Sequence, residues 1–392
     1  MRLEEICTVF TDGDWIESKD QSDDGIRLVQ TGNIGEGIYL EKEARAKYIS
    51  EETFEKLKCT EIFPGDILVS RLPDPVGRAC IIPEKEERMI TAVDCTICRP
   101  NESIISKEYL CYFMRSSAYY KRLLGSVTGT TRKRISRKNL GNVELEVPSK
   151  ERQMDVVEQL DCLVKVIESR KQELQLLDNL IKARFVEMFG DIATGNYKYD
   201  TRKLGDVANV GSSHRVFTTE FVKKGIPFYR GTEIGELANG NKPAEPFYIS
   251  EEHYNRLVYN DTKPQVGDLL LPSICNKGQV WMVDTDEPFY YKDGRVLCIS
   301  PDREIFDTKY LECFMKAKTL VEYPKLGSGS TFAEFKIFLL KNIDVLIPPR
   351  ELQEQFSMFV KQVDKSKVAV QKALDETQLL FDLSLIHISE PT

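Results

Sequence analysis

Histidine is scarce in this chain, with 3 in 392 residues, and tryptophan occurs only twice. The three histidines, His214, His253 and His387, are far apart. They offer neither a His-based metal centre nor a nucleophile–base pair within any motif. Long apolar runs are also missing, so no segment would span a bilayer. The opening MRLEEICTVF carries acids where a secretion signal would carry a basic region followed by an apolar core. The chain is therefore expected to be soluble and cytoplasmic. No G-x-x-x-x-G-K-[S/T] loop is present, which excludes a P-loop motor. No Asn/Asp-Pro-Pro-aromatic motif and no Gly-rich nucleotide turn appear, since Pro348-Pro349 lacks both flanking requirements. That argues against an adenine methyltransferase. Asp302, Glu334 and Lys336 could imitate a two-acid-and-lysine nuclease. That pattern is short enough to arise by chance.

Ten cysteines are present, mostly among apolar neighbours, as expected of free buried thiols in a reducing compartment. Cys95 and Cys98 form the one C-x-x-C pair. Their surroundings look like a strand, where residues three apart point to opposite faces. A structural zinc site would need a second pair, so no metal is expected. A basic surplus is lacking too: 54 Lys+Arg against 62 Asp+Glu gives a net charge of −8. This cautions against nucleic-acid binding without excluding it, because phosphate binding depends on where cations lie rather than on their sum.

What the chain does have is a tandem repeat. GIRLVQTGNIGE (25–36) matches GIPFYRGTEIGE (225–236), and YISEE recurs at 48–52 and 248–252. PGDILVS (64–70) matches VGDLLLPS (266–273), and EYLCYFM (108–114) matches KYLECFM (309–315). TGTT (128–131) pairs with SGST (328–331), and NVELEVPSKERQ (142–153) with NIDVLIPPRELQ (342–353). The order is kept and the offset stays within two residues of 200. Coincidence is excluded.

Each repeat has two parts. The first, about 145 residues, mixes β-branched strand-like stretches (RLVQTGNI, GDILVSRL, NVELEVP) with short helices. Ser50 and Ser250 have the character of helix caps, and KEYLCYFMRSSAYYKRLL has helical spacing. This predicts an α+β domain. The second part is a long helix. In the first repeat Leu160, Ile167, Leu174, Ile181 and Met188 fall seven apart, with Val157, Val164 and Phe185 between them and Lys171 and Asp178 interrupting the seam. That is a coiled-coil pattern. The second helix carries a less regular stripe: Phe356, Phe359, Val363, Val370, Leu374, Leu380 and Phe381. Each helix is expected to pair with the other, antiparallel, giving two similar domains on a rod about 60 Å long. The expected boundaries are a first domain at 1–148, a helix at 149–190, a linker at 191–200, a second domain at 201–348, a helix at 349–384 and a tail at 385–392.

Domain, long helix, domain, long helix: this order resembles the specificity subunit of type I restriction–modification enzymes. The residues carrying the resemblance are Gly65–Ser70 and Gly267–Leu271, the TGTT and SGST turns, the strands ending at Pro148 and Pro348, and the glutamines opening the helices (Gln153; Gln353, Gln355). The resemblance covers nearly the whole chain. It implies two target-recognition domains reading the halves of a bipartite, asymmetric double-stranded DNA sequence. The helices would act as spacer and dock two methyltransferase subunits, which restriction subunits join. It also implies a non-catalytic chain that binds no cofactor, with S-adenosylmethionine, ATP and Mg belonging to the partners.

For DNA contact the sharpest feature is Arg132, Lys133, Arg134, Arg137 and Lys138, five cations with no acid among them. Such a cluster suits phosphates. The alternative is a solvated basic loop or a clamp onto acidic residues, and the second repeat (FAEFKIFLLK) does not share it. The loops after the GDILVS-type strands are a second candidate, with Arg71 and Arg78 in one and Asn276, Lys277 and Gln279 in the other. Arg matches guanine and Asn or Gln matches adenine in bidentate fashion. Against this, these are also ordinary polar turns. Arg230, aligned with Gln30, is a further candidate, as is the pair His214-Arg215. Two other readings stay open: a DNA-binding module of another methylation-based defence system or a solitary decoy, and a coiled-coil scaffold that binds no DNA.

Overall fold

A computed structural model describes residues 1–126, 133–258, 263–274, 276–326 and 333–388. Of the sequence candidates, Arg132 and the turns at 128–131 and 328–331 lie outside the described residues. The chain divides into two compact units, Met1–Gln172 with Val370–Thr392, and Glu173–Ala369.

Among the described residues of the first unit eight strands form two sheets. One has the order β1 (Cys7–Asp12), β8 (Cys95–Pro100), β5 (Ile67–Ser70), β6 (Ala79–Ile81), all antiparallel. The other has the order β3 (Tyr48–Ile49), β2 (Ile26–Val29), β7 (Met89–Thr91), β4 (Glu61–Ile62), with β2 and β7 parallel. Strand β5 is buried along its length, and so is β8 except at Arg99. The turn into β5 is fixed by Asp66, whose carboxylate accepts the Phe63 amide at 2.9 Å and pairs with Arg99. Helix α1 (Glu51–Leu57) starts at Ser50, whose hydroxyl accepts the Thr53 amide. The stretch read as one helix is two, α2 (Lys107–Phe113) and α3 (Ser117–Leu124). Ser116 breaks it by capping the Tyr119 amide. Helix α4 (Arg137–Gly141) precedes α5 (Lys150–Phe189), a helix of 40 residues.

The second unit repeats the plan after a hairpin, β9 (Gly190–Asp191) and β10 (Asn196–Tyr197). Strand β11 (Thr201–Lys203) leads through α6 (Leu204–Val207) into β12 (Ala208–Gly211). Strands β13 (Phe221–Val222) and β14 (Ile226–Tyr229) follow and belong to a different sheet from β12. The first sheet is β12, β19 (Val296–Pro301), β16 (Leu269–Pro272), β17 (Trp281–Met282), matching its counterpart strand for strand. The second is β13, β15 (Phe247–Ile249), β14, β18 (Tyr290–Tyr291). It keeps the parallel β14–β18 pair but gains its fourth strand on the opposite edge. Helices α7 (Gly231–Ala238), α8 (Glu251–Leu257), α9 (Thr308–Glu322) and α10 (Ile337–Lys341) lie between the strands, and Ser250 caps α8 as Ser50 caps α1. Strand β20 (Asp344–Leu346) pairs with β11 and is followed by α11 (Arg350–His387).

Each long helix is fastened by its matched glutamine. In the first unit Gln153 accepts the Ser106 amide at 2.8 Å and donates to Ile104 and Pro148 carbonyls, both at 3.0 Å. In the second, Gln353 accepts the Asp307 amide at 2.9 Å and donates to Ile305 at 3.0 Å and Pro348 at 2.8 Å. Both side chains are buried. A carboxamide supplies an acceptor and two donors, and each fastening uses all three.

In the second unit the helices run antiparallel. The Phe185 ring lies 5.5 Å from Phe356, and Asp178 pairs with Lys367 at 2.6 Å. Phe185, Phe189, Phe356 and Val360 share one core with Tyr310, Phe314 and Leu346. In the first unit Tyr112 donates to Asp161 of α5 while its ring meets Phe381 of α11 edge-on at 6.3 Å. Leu160, Ile167, Phe356, Val363 and Val370 are buried; Leu174, Ile181 and Met188 are half-buried. The α11 stripe is more regular than the sequence suggested. Phe356, Val360, Val363, Val370, Leu374, Phe381 and Leu385 are buried, while Leu380 is 53% exposed. Lys367 occupies a stripe position and meets Asp178, which hid the period. The helix also continues past residue 384, burying Leu385 and Ile388. The Tyr109 hydroxyl donates to the Ile388 carbonyl at 3.1 Å.

Candidate nucleic-acid interface

In the first unit Lys133, Arg134, Arg137 and Lys138 are all exposed. Ser136 starts α4 by accepting the Asn139 amide, which places Arg137 and Lys138 on the first turn. Together with Arg71 they line a cleft of ≈ 810 Å³ that Glu4 and Asp12 also border. The cations are partly spent within the protein. Arg134 pairs with Asp94 at 2.9 Å, and Arg137 lies 4.0 Å from Asp12. Arg71 is 5% exposed, pairs with Asp12 at 3.4 Å and donates to the Val93 carbonyl.

Arg78 does something other than reach outward. Its guanidinium donates to four carbonyls, those of Ile34, Thr31, Leu72 and Pro75. It shapes the loop it sits in. Asn276 does the same in the second unit: its amide donates to Pro272 and Gln279, its oxygen accepts the Gly278 and Gln279 amides, and it is buried. Each loop carries a glycine at a matched place, Gly77 before Arg78 and Gly278 before Gln279. Gly77 and Gly278 have φ of +92° and +75°, and a side chain there would strike Leu123 or Leu320.

Lys277, Gln279 and Arg230 come together in the second unit. They line a cleft of ≈ 700 Å³ with two cations the sequence reading missed, Lys292 and Arg295. Arg230 is held rigidly: Nε and Nη2 donate to Glu233 at 3.1 and 2.6 Å, and its guanidinium lies 4.5 Å over the Phe247 ring. Burial pushes the Glu233 carboxyl up, but the Arg230 hydrogen bonds outweigh it and hold the group below its ordinary range. His214 and Arg215 do not line this cleft; Arg215 lies 3.7 Å from Asp293 and over Phe217.

The two units place their charges differently on equivalent backbone. Arg71 N donates to Asp94 O as Ser273 N does to Arg295 O, and Ile135 N donates to Arg71 O as Phe335 N does to Ser273 O. These bonds match Asp94 with Arg295 and Arg134 with Glu334. The ion pair Asp94–Arg134 is thus repeated as Arg295–Glu334, at 3.1 Å, with its polarity reversed. The pair Gln30 and Arg78 is likewise exchanged for Arg230 and Gln279.

Burial pushes the Cys95, Cys298 and Cys313 thiols up to about 12, the opposite of what a nucleophile or metal ligand requires. Among the described residues no three His, Cys, Asp or Glu side chains gather as a metal site would demand.

A family model for the type I restriction modification DNA specificity domain matches this chain twice, over residues 1–179 and 196–377. The chain belongs to this family. Among curated relatives, the type I restriction enzyme MjaIX specificity subunit of Methanocaldococcus jannaschii is 21% identical over 362 residues, covering 86% of this chain and 79% of that protein. The HindI specificity subunit of Haemophilus influenzae is 26% identical over 130 residues, covering 32% of this chain and 28% of that protein. Two solved structures share the fold. One is a chain from a type I R-M system described for its complex assembly and conformational transition (TM-score 0.62, 17% identity, 100% of this chain and 97% of that one). The other is the type-I restriction-modification S subunit from M. genitalium (TM-score 0.54, 13% identity, 100% and 96%). Two tandem specificity domains with paired long helices are therefore the architecture of this chain.

Proposed function

We propose that this chain reads a bipartite, asymmetric DNA sequence, one half per domain, and directs methyltransferase and restriction subunits to it. The observation that carries the reading is that one scaffold appears twice with different side chains at matched positions. The sheet order shared by β1-β8-β5-β6 and β12-β19-β16-β17 supplies matched backbone positions in the two domains, while exchanged Gln/Arg and reversed Asp/Arg pairs give different chemistry toward bases and phosphates. Candidate contacts in the first domain are Lys133, Arg137 and Lys138, with Arg132, Arg134 and Arg71. In the second they are Arg230, Lys277 and Gln279. Arg78 and Asn276 support their loops rather than reading bases.

The outward faces of the long helices support partner docking. Leu180 and Val186 on α5, and Leu380, Leu383 and Ile386 on α11, are exposed. Leu180 and Val186 recur as Leu380 and Ile386 at an offset of 200, as two copies of one partner would require. The partners assigned here are two methyltransferase subunits, then restriction subunits, in the cytoplasm. Among the described residues no helix is long and apolar enough to cross a membrane. The chain's own part is non-catalytic; S-adenosylmethionine, ATP and Mg are assigned to the partners.

The test is an exchange. Residues 201–348 are replaced by the corresponding domain of another family member of known target, and the methylated motif is mapped. One half-site is expected to change to the donor's while the other is retained. A motif unchanged in both halves would refute the reading.

A further inference from the structure

The cleft of the second domain has the chemistry of a base reader rather than of a general basic surface. Its cations surround a neutral carboxamide, Gln279, which lies across Gly235 of α7. A side chain at position 235 would bring its Cβ to 2.8 Å from Gln279 Nε2 and 3.2 Å from Oε1. The glycine thus makes the seat for the amide. Arg230, at the start of the same helix, has two of its nitrogens fixed by Glu233 and its face on Phe247. Among the described residues no acceptor engages its Nη1. A fixed guanidinium and a seated carboxamide can offer paired donors and acceptors at little further entropic cost. Lys277, Lys292 and Arg295 line the same cleft with Glu236; Lys292 lies 3.3 Å from Asp293 and Arg295 3.1 Å from Glu334.

We propose that Gln279 and Arg230 are the base-reading pair of the second domain, addressed to purine edges in the major groove, and that Lys277, Lys292 and Arg295 grip the flanking phosphates. This rests on the proposed DNA-reading function and assigns it to one cleft. In the first domain the same backbone positions hold Gln30 and Arg78, and Arg78 is spent on carbonyls, so the two domains read through different elements.

The experiment maps methylated motifs from cells expressing the full chain, or a variant, with its methyltransferase partner. Gln279→Ala is expected to relax one base position within a single half-site, lowering discrimination there roughly five- to a hundredfold. Gly235→Ala, which suits a helix and displaces only the end of a flexible side chain, is expected to relax the same position. Arg230→Ala is expected to relax another position in that half. Lys292→Ala should reduce methylation at all targets without altering the motif. In every variant the other half-site and the gap are retained. An unchanged motif in both Gln279→Ala and Arg230→Ala, or relaxation spread over both halves, would overturn the assignment. Should Arg230→Ala abolish methylation, the purified variant is offered the native target and one scrambled in that half. Equal affinity supports the assignment, and a retained preference overturns it. A wild-type chain that directs no split motif would instead overturn the DNA-reading function itself.

Discussion

Replacing Gln353 with alanine removes the fastening between the second domain and α11 without touching a charge or the helix seam. The side chain is 0% exposed and satisfies three backbone groups: the Asp307 amide and the Ile305 and Pro348 carbonyls. Each such group left buried without a partner costs about 1–3 kcal/mol. Partial entry of water into the vacated volume moderates the sum, so the expected loss is about 3–5 kcal/mol. For a domain of this size that corresponds to a fall in Tm of about 6–20 °C. Denaturant unfolding of the purified chain measures the energy. Hydrogen exchange provides the local signature, because the Asp307 amide loses its acceptor and should lose protection ahead of its neighbours. Gln153→Ala should do the same at the Ser106 amide. Gln355→Ala, whose side chain is exposed and reaches only Glu351 at 3.5 Å, should stay within about 0.5 kcal/mol of wild type. A Gln353→Ala loss below about 1 kcal/mol, with Asp307 protection intact, would refute the reasoning.

Three further outcomes are expected. Replacing Lys133, Arg137 and Lys138 together with alanine should weaken binding to all DNA and reduce the slope of log affinity against log salt by up to about 2.7, at about 0.9 per phosphate contact; unchanged affinity across several salt concentrations would remove these residues from the interface. Arg134→Glu should cost roughly 0.2–1 kcal/mol through its exposed pair with Asp94, and adding Asp94→Arg, which recreates the polarity of the second domain, should restore it; a double variant less stable than the single would contradict the matched positions. Deleting seven residues between 160 and 188 should change the gap between recognised half-sites or abolish binding, and a motif with its gap intact would end the idea of the helices as a ruler.

The repeat made the architecture legible. A doubled order of motifs announced two domains, seven-residue spacing announced the first helix, and the serines at 50 and 250 announced their helices. Gln153 and Gln353 were visible as matched residues, but their fastening role depends on carbonyls brought in from segments nearly fifty residues away. The α11 period was obscured by Lys367, whose partner Asp178 lies on the other helix. The candidate interface was less legible because a donor facing DNA and a donor facing a carbonyl look alike in sequence. Arg78 and Asn276 turn inward, in loops whose glycines, Gly77 and Gly278, adopt positive φ. Lys292 and Arg295 escaped notice because the residues matched to them in the first domain are Ala92 and Asp94, neither of them a cation. Repeat comparison finds what is kept, whereas a reading surface is built from what differs.

The most direct test of the central claim is to express the chain with the methyltransferase subunit encoded beside it and to map methylated adenines across the genome by single-molecule sequencing. A split motif with a fixed gap and unlike halves, present only when this chain is present, is the expected result. Methylation that is absent, or that is the same without the chain, would contradict it.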